Sequence, residues 1–450
     1  MSHFEIIGGI ALHGEVRCSG AKNAALPIMA AAILASEPVT LMGVPRLADV
    51  RTQTRLLRCL GLQVERDRRT DILVCRPPGK DSKSVTDRNV CPPDEDVCAP
   101  EGLLRQMRAG FCVLGPLLAR RRRAVVPLPG GCNIGDRPVD LHLKGLAALG
   151  ADIRLEHGYV VAEAPRLTGA AIDLSGPHGS TVTGTANVLS AAVLARGVTI
   201  IRGAAMEPEI VDLGDFLVKL GARIEGLGTG TIRIEGVDQL GGATHRLIPD
   251  RIEAATLLIA AAITGGSATV TGVVPEHLHA VLEKLAAAGA VIVAGADRVS
   301  ISASNGRLRA VDITARPFPG VPTDVQAQWT ALSSVADGAC RVEDRVFPGR
   351  FLHVAELNRL GAKIVCTGGT AVVTGVGRLS GARVTAHDLR ASAALVLAGL
   401  AADGRTIVER TDHLDRGYQR LDRKLRQLGV RIDRVLYLHR LSDKAKQQSW

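Results

Sequence analysis

The sequence predicts a mixed α/β (α+β) protein assembled from six copies of one helix-and-strand unit. Three observations carry this. A short phrase, an amphipathic helix ending in glycine and then an alternating apolar strand, recurs with its glycine at Gly61, Gly150, Gly221, Gly289, Gly361 and Gly429. Successive glycines lie 89, 71, 68, 72 and 68 residues apart, a period that marks an internal repeat. Apolar residues make up 46% of the 450-residue chain, yet there are only 2 Trp, 3 Tyr and 6 Phe. The core must therefore be Ala, Val, Leu and Ile, which suits helices packed on strands.

Each unit can be read in order. It opens on an Ala/Leu-rich helix, as at 23–35, 182–195, 251–264, 325–336 and 391–402. These stretches are apolar almost all round, which predicts burial. A strand such as VTLMGV or VTIIRG follows, then a second, more polar helix. The phrase glycine sits just past that helix, where a left-handed backbone is needed to end it. Six such units suggest two bodies of three, with apolar helices inside and sheets outside. The first interval is longer by about 20 residues, and the Pro-rich, charged, aperiodic stretch 76–100 reads as an inserted mobile loop.

Composition limits the partners. Lys+Arg 55 against Asp+Glu 45 leaves +10, which permits an anionic partner. Nucleic acid is not expected: single strands are held by stacking on aromatic rings, and this chain has few. No membrane span is expected, because the longest apolar runs reach about a dozen residues and a spanning helix needs about 20. Met1–Glu5 carries no basic region, so no signal peptide is expected. Nine cysteines, with no Cys-x-x-Cys pair, point to a reducing cytoplasm and to neither a disulfide framework nor a zinc site.

Four features bear chemistry. Ser19-Gly20-Ala21-Lys22-Asn23 feeds a turn into an apolar helix, placing Lys22 at an N-terminus that already favours anions. Leu128-Pro129-Gly130-Gly131-Cys132-Asn133-Ile134-Gly135-Asp136-Arg137-Pro138 describes a loop with a thiol, and Arg137 would favour its thiolate. Phe318-Pro319-Gly320-Val321-Pro322-Thr323-Asp324 brings a stiff loop to one carboxylate; the plain alternative is that Thr323 or Asp324 caps the next helix. Arg108, Arg350, Arg390 and Arg416 stand at turns and helix starts of the repeat and, with Lys22, describe a site for a multiply charged anion. The run Arg120–Arg123 reads as a solvated turn, and His277 and His279 lack further ligands for a metal.

SGAKNAALP, LPGGCNIGDRPVDLH, EPEIVDL, IPDRIEA, PGVPTDVQAQ, HDLRASAALVLAGL and HLDRGYQR together resemble the UDP-N-acetylglucosamine 1-carboxyvinyltransferase family of enolpyruvyl transferases. The resemblance runs over essentially the whole chain. It implies two inside-out α/β barrel domains, each of three βαβαββ units: residues 21–247, and residues 1–20 with 248–450. It implies transfer of the enolpyruvyl group of phosphoenolpyruvate to the 3-hydroxyl of UDP-N-acetylglucosamine, with release of phosphate, at the first committed step of peptidoglycan synthesis. The partners implied are these two small molecules; no metal or organic cofactor is implied. Lys22, Arg137 and Arg416 match phosphate-holding positions, with Asn23 beside them at the sugar. Cys132 matches a general acid that fosfomycin alkylates. Asp324 matches the carboxylate that takes the hydroxyl proton. Arg108, Val346, Arg350, Asp388 and Arg390 match substrate-binding positions. Arg137, Pro138, Val139, Asp140 and Leu141 match the uridine site, and Gly179 the diphosphate.

The chain departs from the family's pattern in places. Pro348-Gly349 stands for the usual Glu-Asn before the arginine, and Phe318 for the His of a Pro-His-Pro run. Asp49-Val50-Arg51-Thr52, Pro177-His178-Gly179-Ser180-Thr181 and Met206 also differ from it. Several of these lie toward the nucleotide sugar. They open the alternative of a paralogue that uses UMP or another uridine nucleotide in nucleoside-antibiotic synthesis.

Overall fold

The computed structural model describes residues 2–67, 69–78, 98–129, 138–303 and 306–436. Within them six separate open sheets, of three or four strands each, are laid against helices. The fold is mixed α/β, as expected.

The apolar helices run Lys22–Ala31, Leu114–Arg121, Val182–Ala192, Arg251–Ile263, Thr323–Ser333 and Leu389–Ala401. Leu389–Ala401 has eleven buried residues, and Arg390 is its one charged side chain, as suits a helix surrounded by others. It packs against both Thr323–Ser333 and Arg251–Ile263. The second helices, such as Ala48–Cys59 and Pro208–Lys219, bury one face only. All six phrase glycines have positive φ, between 84° and 108°. Each donates its N–H three residues back, and the next residue donates five back, as in Gly61 to Arg58 and Leu62 to Leu57. The predicted helix stop is thus one Schellman turn used six times.

The sheets share a plan. Val39–Met42 pairs antiparallel with Leu73–Arg76, which pairs with Gln63–Arg66, and Ala243–Arg246 adds a parallel edge. That edge strand comes from the end of the third unit. Ala171–Asp173, Ile313–Ala315 and Arg383–Thr385 likewise lend a parallel edge to the following unit. The sixth unit is completed by the chain's own start. Ser2–Ile7 lies between Arg405–Glu409 and Arg431–Leu436, and His13–Arg17 then supplies the edge for the fourth unit.

Two hydrophobic cores result. One contains buried residues from Ala21 to Leu247; the other contains Phe4–Cys18 and residues from Ile252 to Ile432. The chain passes between them twice, and the passages run side by side. Ala21 N donates to Ile248 O, and Asp250 N to Ser19 O, each at 2.8 Å. No Cβ fits at Gly20, where it would stand 1.8 Å from Gly43 O. No helix among the described residues is long and apolar enough to cross a membrane. Most of the expected insertion, residues 79–97, lies outside the described residues.

Candidate active site

The paired passages between the cores deliver Lys22 and Asn23 to the seam. The Lys22–Ala31 helix starts without a side-chain cap, and the Lys22 N–H donates instead to Asp250 Oδ2 at 3.2 Å. Asp250 at the same time caps the Arg251–Ile263 helix through the N–H groups of Ile252 and Glu253. One carboxylate thus ties two apolar helices of different cores to a single point.

Asp324 lies on the opposite wall. Its helix starts at Thr323 behind Pro322, so neither Thr323 nor Asp324 serves as the cap. Thr323 Oγ1 donates instead to Asp344 at 2.6 Å. The Asp324 carboxylate collects three partners: Arg350 Nη1 at 2.9 Å, Arg390 Nη2 at 3.0 Å and Asn23 Nδ2 at 3.2 Å. Burial acts to raise its proton affinity, but Arg390, Arg350 and Lys22 outweigh burial and hold the carboxyl well below the usual range. Arg390 is 1% exposed, and its guanidinium lies 5.2 Å from the centroid of Tyr418. Its Nε and Nη1 have no hydrogen-bond partner among the described residues.

A second bridge crosses the seam. Buried Asp49 takes Lys22 Nζ at 3.7 Å and Arg416 Nε at 2.9 Å. Burial pushes the Lys22 ammonium below its ordinary value, against the attraction of Asp49. Lys22, Arg350, Arg390 and Arg416 are thus gathered with Asp49, Asp250 and Asp324 at one seam, four cations against three carboxylates. Such a site suits a multiply charged anion beside a carboxylate that can accept a proton.

The structure therefore brings together Lys22, Asn23, Asp324, Arg350, Arg390 and Arg416. Asp388 is the cap of the Leu389–Ala401 helix, accepting from Arg390 N and Ala391 N, and so orients Arg390. The half-buried Val346 donates its N–H to Asp344 at 2.9 Å. Gly179 turns a two-stranded hairpin at φ +97° and abuts Pro317. Pro138 and Val139 lead into the Asp140–Ala148 helix, with Leu141 against the Gly176 side of that hairpin. Arg108 is half-buried at the start of the Arg108–Val113 turn. Cys132 and Arg137 lie outside the described residues. Asp49 was not among the candidates from sequence. Its signal was an acid in the first turn of a helix, which usually means no more than helix polarity.

The family model for EPSP synthase (3-phosphoshikimate 1-carboxyvinyltransferase) matches residues 6–425. The UDP-N-acetylglucosamine 1-carboxyvinyltransferase of Myxococcus xanthus (strain DK1622) is 53% identical over 434 residues, covering 96% of this chain and 99% of that one. The crystal structure of the enolpyruvyl transferase NikO from Streptomyces tendae superposes with a TM-score of 0.83 at 27% identity, covering 96% and 98%. An EPSP synthase from Acinetobacter baumannii shares the fold, with a TM-score of 0.71 at 17% identity over 97% and 100% of the two chains.

Proposed function

The chain belongs to the EPSP synthase family of 1-carboxyvinyl transferases, and from that premise we propose that it transfers enolpyruvate from phosphoenolpyruvate to the 3-hydroxyl of UDP-N-acetylglucosamine. In this reading it releases phosphate, works in the cytoplasm and opens peptidoglycan synthesis. The two cores would be the two three-unit domains, 21–247 and 1–20 with 248–450, with apolar helices inside and sheets outside. The acceptor is that of the Myxococcus relative.

The observation that carries the chemistry is the pair of cation–carboxylate bridges at one seam between the cores. Lys22 and Arg416, joined by Arg137, would hold the phosphate. Arg350 and Arg390 already grip a carboxylate, that of Asp324, and would grip the substrate's. Asp324 is a weak base while both arginines sit on it. A substrate carboxylate that shares them raises its proton affinity as the acceptor hydroxyl arrives. The hydroxyl oxygen then bonds C2, its proton passes to Asp324, and Cys132 adds a proton at C3. In the second half the C2–O bond to phosphate breaks, C3 gives its proton back, and the double bond re-forms. Arg108, Val346 and Asn23 would hold the sugar, Gly179 the diphosphate, and Pro138, Val139, Asp140 and Leu141 the uridine.

A second reading takes UMP or a similar uridine nucleotide as acceptor. The observation that favours it is Pro177-His178 in the hairpin that carries Gly179. Phosphate release from phosphoenolpyruvate decides, with either UDP-N-acetylglucosamine or UMP present. Release with the sugar nucleotide is expected; release with UMP alone overturns the acceptor, and release with neither overturns the transfer. Fosfomycin should add one equivalent of mass at Cys132.

A further inference from the structure

Glu207 and Glu209 flank Pro208 at the start of the Pro208–Lys219 helix in the first core, and both are buried. Their carboxylates reach toward the second core. Glu209 grips Arg251 in a fork, Oε1 accepting from Nε at 2.9 Å and Oε2 from Nη2 at 3.2 Å. The Arg251 guanidinium in turn lies 5.5 Å from the ring centroid of Phe318. Glu207 Oε1 accepts the backbone N–H of the same Phe318 at 3.2 Å. Two acids of one core therefore hold a single loop residue of the other, its backbone directly and its ring through Arg251.

That loop leads to Asp324. It folds back on itself: Arg316 N donates to Val321 O at 3.0 Å, and Gly320 N to Pro317 O at 2.9 Å. Ala315 and Val321 form an isolated bridge, and the Thr323–Ser333 helix begins two residues later. A loop closed in this way moves as one piece, so a displacement of Phe318 reaches Asp324. Pro317 also fills the space beside Gly179, where a Cβ would stand 2.8 Å from Pro317 Cγ.

The charges are not those that stability alone favours. Two buried carboxylates face one buried guanidinium, and burial pushes the Glu207 carboxyl up against the pull of Arg251. Apolar side chains of like volume would fill such a seam with less desolvation cost.

We propose that Glu207 is a positioning residue for Asp324. Together with Glu209 and Arg251 it clasps Phe318, and through residues 316–322 it sets where the Asp324 carboxylate meets the acceptor hydroxyl. The proposal rests on the enolpyruvyl-transfer reading. Reacting groups must be held within about 0.5 Å, and a misplacement of about 1 Å costs on the order of a hundredfold in rate.

The test compares phosphate release by the full chain, using phosphoenolpyruvate and UDP-N-acetylglucosamine, in wild type, Glu207→Ala, Glu207→Gln, Phe318→Leu and Leu213→Ala. Leu213 is a buried residue of the same helix and serves as a stability control. Glu207→Gln keeps an oxygen for the Phe318 N–H. Glu207→Ala and Phe318→Leu should lower kcat about tenfold or more with little change in KM for phosphoenolpyruvate, and Glu207→Gln should recover most of the loss. The acid limb of kcat should move to higher pH in Glu207→Ala. A displaced Asp324 loses contact with the charges that face it, Arg390, Arg350, Lys22 and, from the clasp, Arg251, while Asn23 is neutral. Leu213→Ala should melt earlier yet keep its kcat. Wild-type kcat and an unmoved acid limb in Glu207→Ala overturn the clasp, as does an equal loss of kcat in Leu213→Ala. Absence of release by the wild type overturns the transfer reading, and the clasp falls with it.

Discussion

Asp324 shows what a single residue owes to its neighbours. From sequence it was one acid after a stiff loop, as suited to capping a helix as to chemistry. Arg350, Arg390 and Asn23 occupy its oxygens, and Pro322 takes the cap position, so Asp324 does not cap its helix. Asp324→Asn should lower kcat by about 10²–10⁴, measured as phosphate release at saturating substrates. His353 gives a second prediction at this scale. Burial holds its imidazole near a pKa of about 4, with Asp388 opposing and Arg350 assisting. The unfolded chain binds this proton near pH 6.5. Stability is therefore complete above that pH and falls as pH drops toward 4, by about 3 kcal/mol from this group. Proton uptake on unfolding at pH 5 should be smaller by about one in His353→Leu; an unchanged uptake would exclude the assignment. Lys22, Asn23, Arg350, Arg390 and Arg416 were legible because each stands at a turn or helix start of a repeat. Asp49 was not, since its partner Arg416 lies 367 residues away.

At the scale of elements the repeat was legible because local chemistry writes it. A glycine past a helix, an apolar helix and an alternating strand each depend on neighbours within a few residues. Gly150 has φ +94° and open space where a Cβ would go, so Gly150→Ala should cost about 1–2 kcal/mol through backbone strain alone. Gly102 also has open space but no positive φ, and it lies inside the Glu101–Leu104 helix. Gly102→Ala should be neutral or stabilising by about 0.5–1 kcal/mol. Urea unfolding of the two variants separates strain from packing. The strand at the chain's start was less legible. Nothing local says that Ser2–Ile7 completes a sheet with residues beyond 400. Its removal would leave two strands without a common neighbour, and a chain lacking residues 2–7 should lose the cooperative unfolding of the second core, as followed by circular dichroism.

The whole molecule is two cores with polar chemistry concentrated where they meet. The Asp49 bridge, the Asp324 cluster and the Glu209–Arg251 fork all join residues of different cores or stand on their border. Arg251→Met should cost about 3–5 kcal/mol, because it leaves Glu209 buried without its partner. Replacing both, Arg251→Met with Glu209→Leu, should recover most of that loss. Chemical denaturation of the single and double variants checks it; a single variant as stable as wild type would show that the fork carries no weight.

By itself the sequence determined the six units, the helices that would be buried, where each helix stops, and which cations and carboxylate were candidates for a site. These follow from spacing and residue type, which act over short stretches of chain. Tertiary structure alone decided which charges meet. Lys22 and Arg416 share Asp49, Asp324 is held by two arginines rather than capping its helix, and Glu207 reaches Phe318. Such pairings depend on distances between residues far apart in the chain, which are set only when two cores pack across a seam. There burial strengthens each charge's interaction with its neighbours and makes an unpaired one costly.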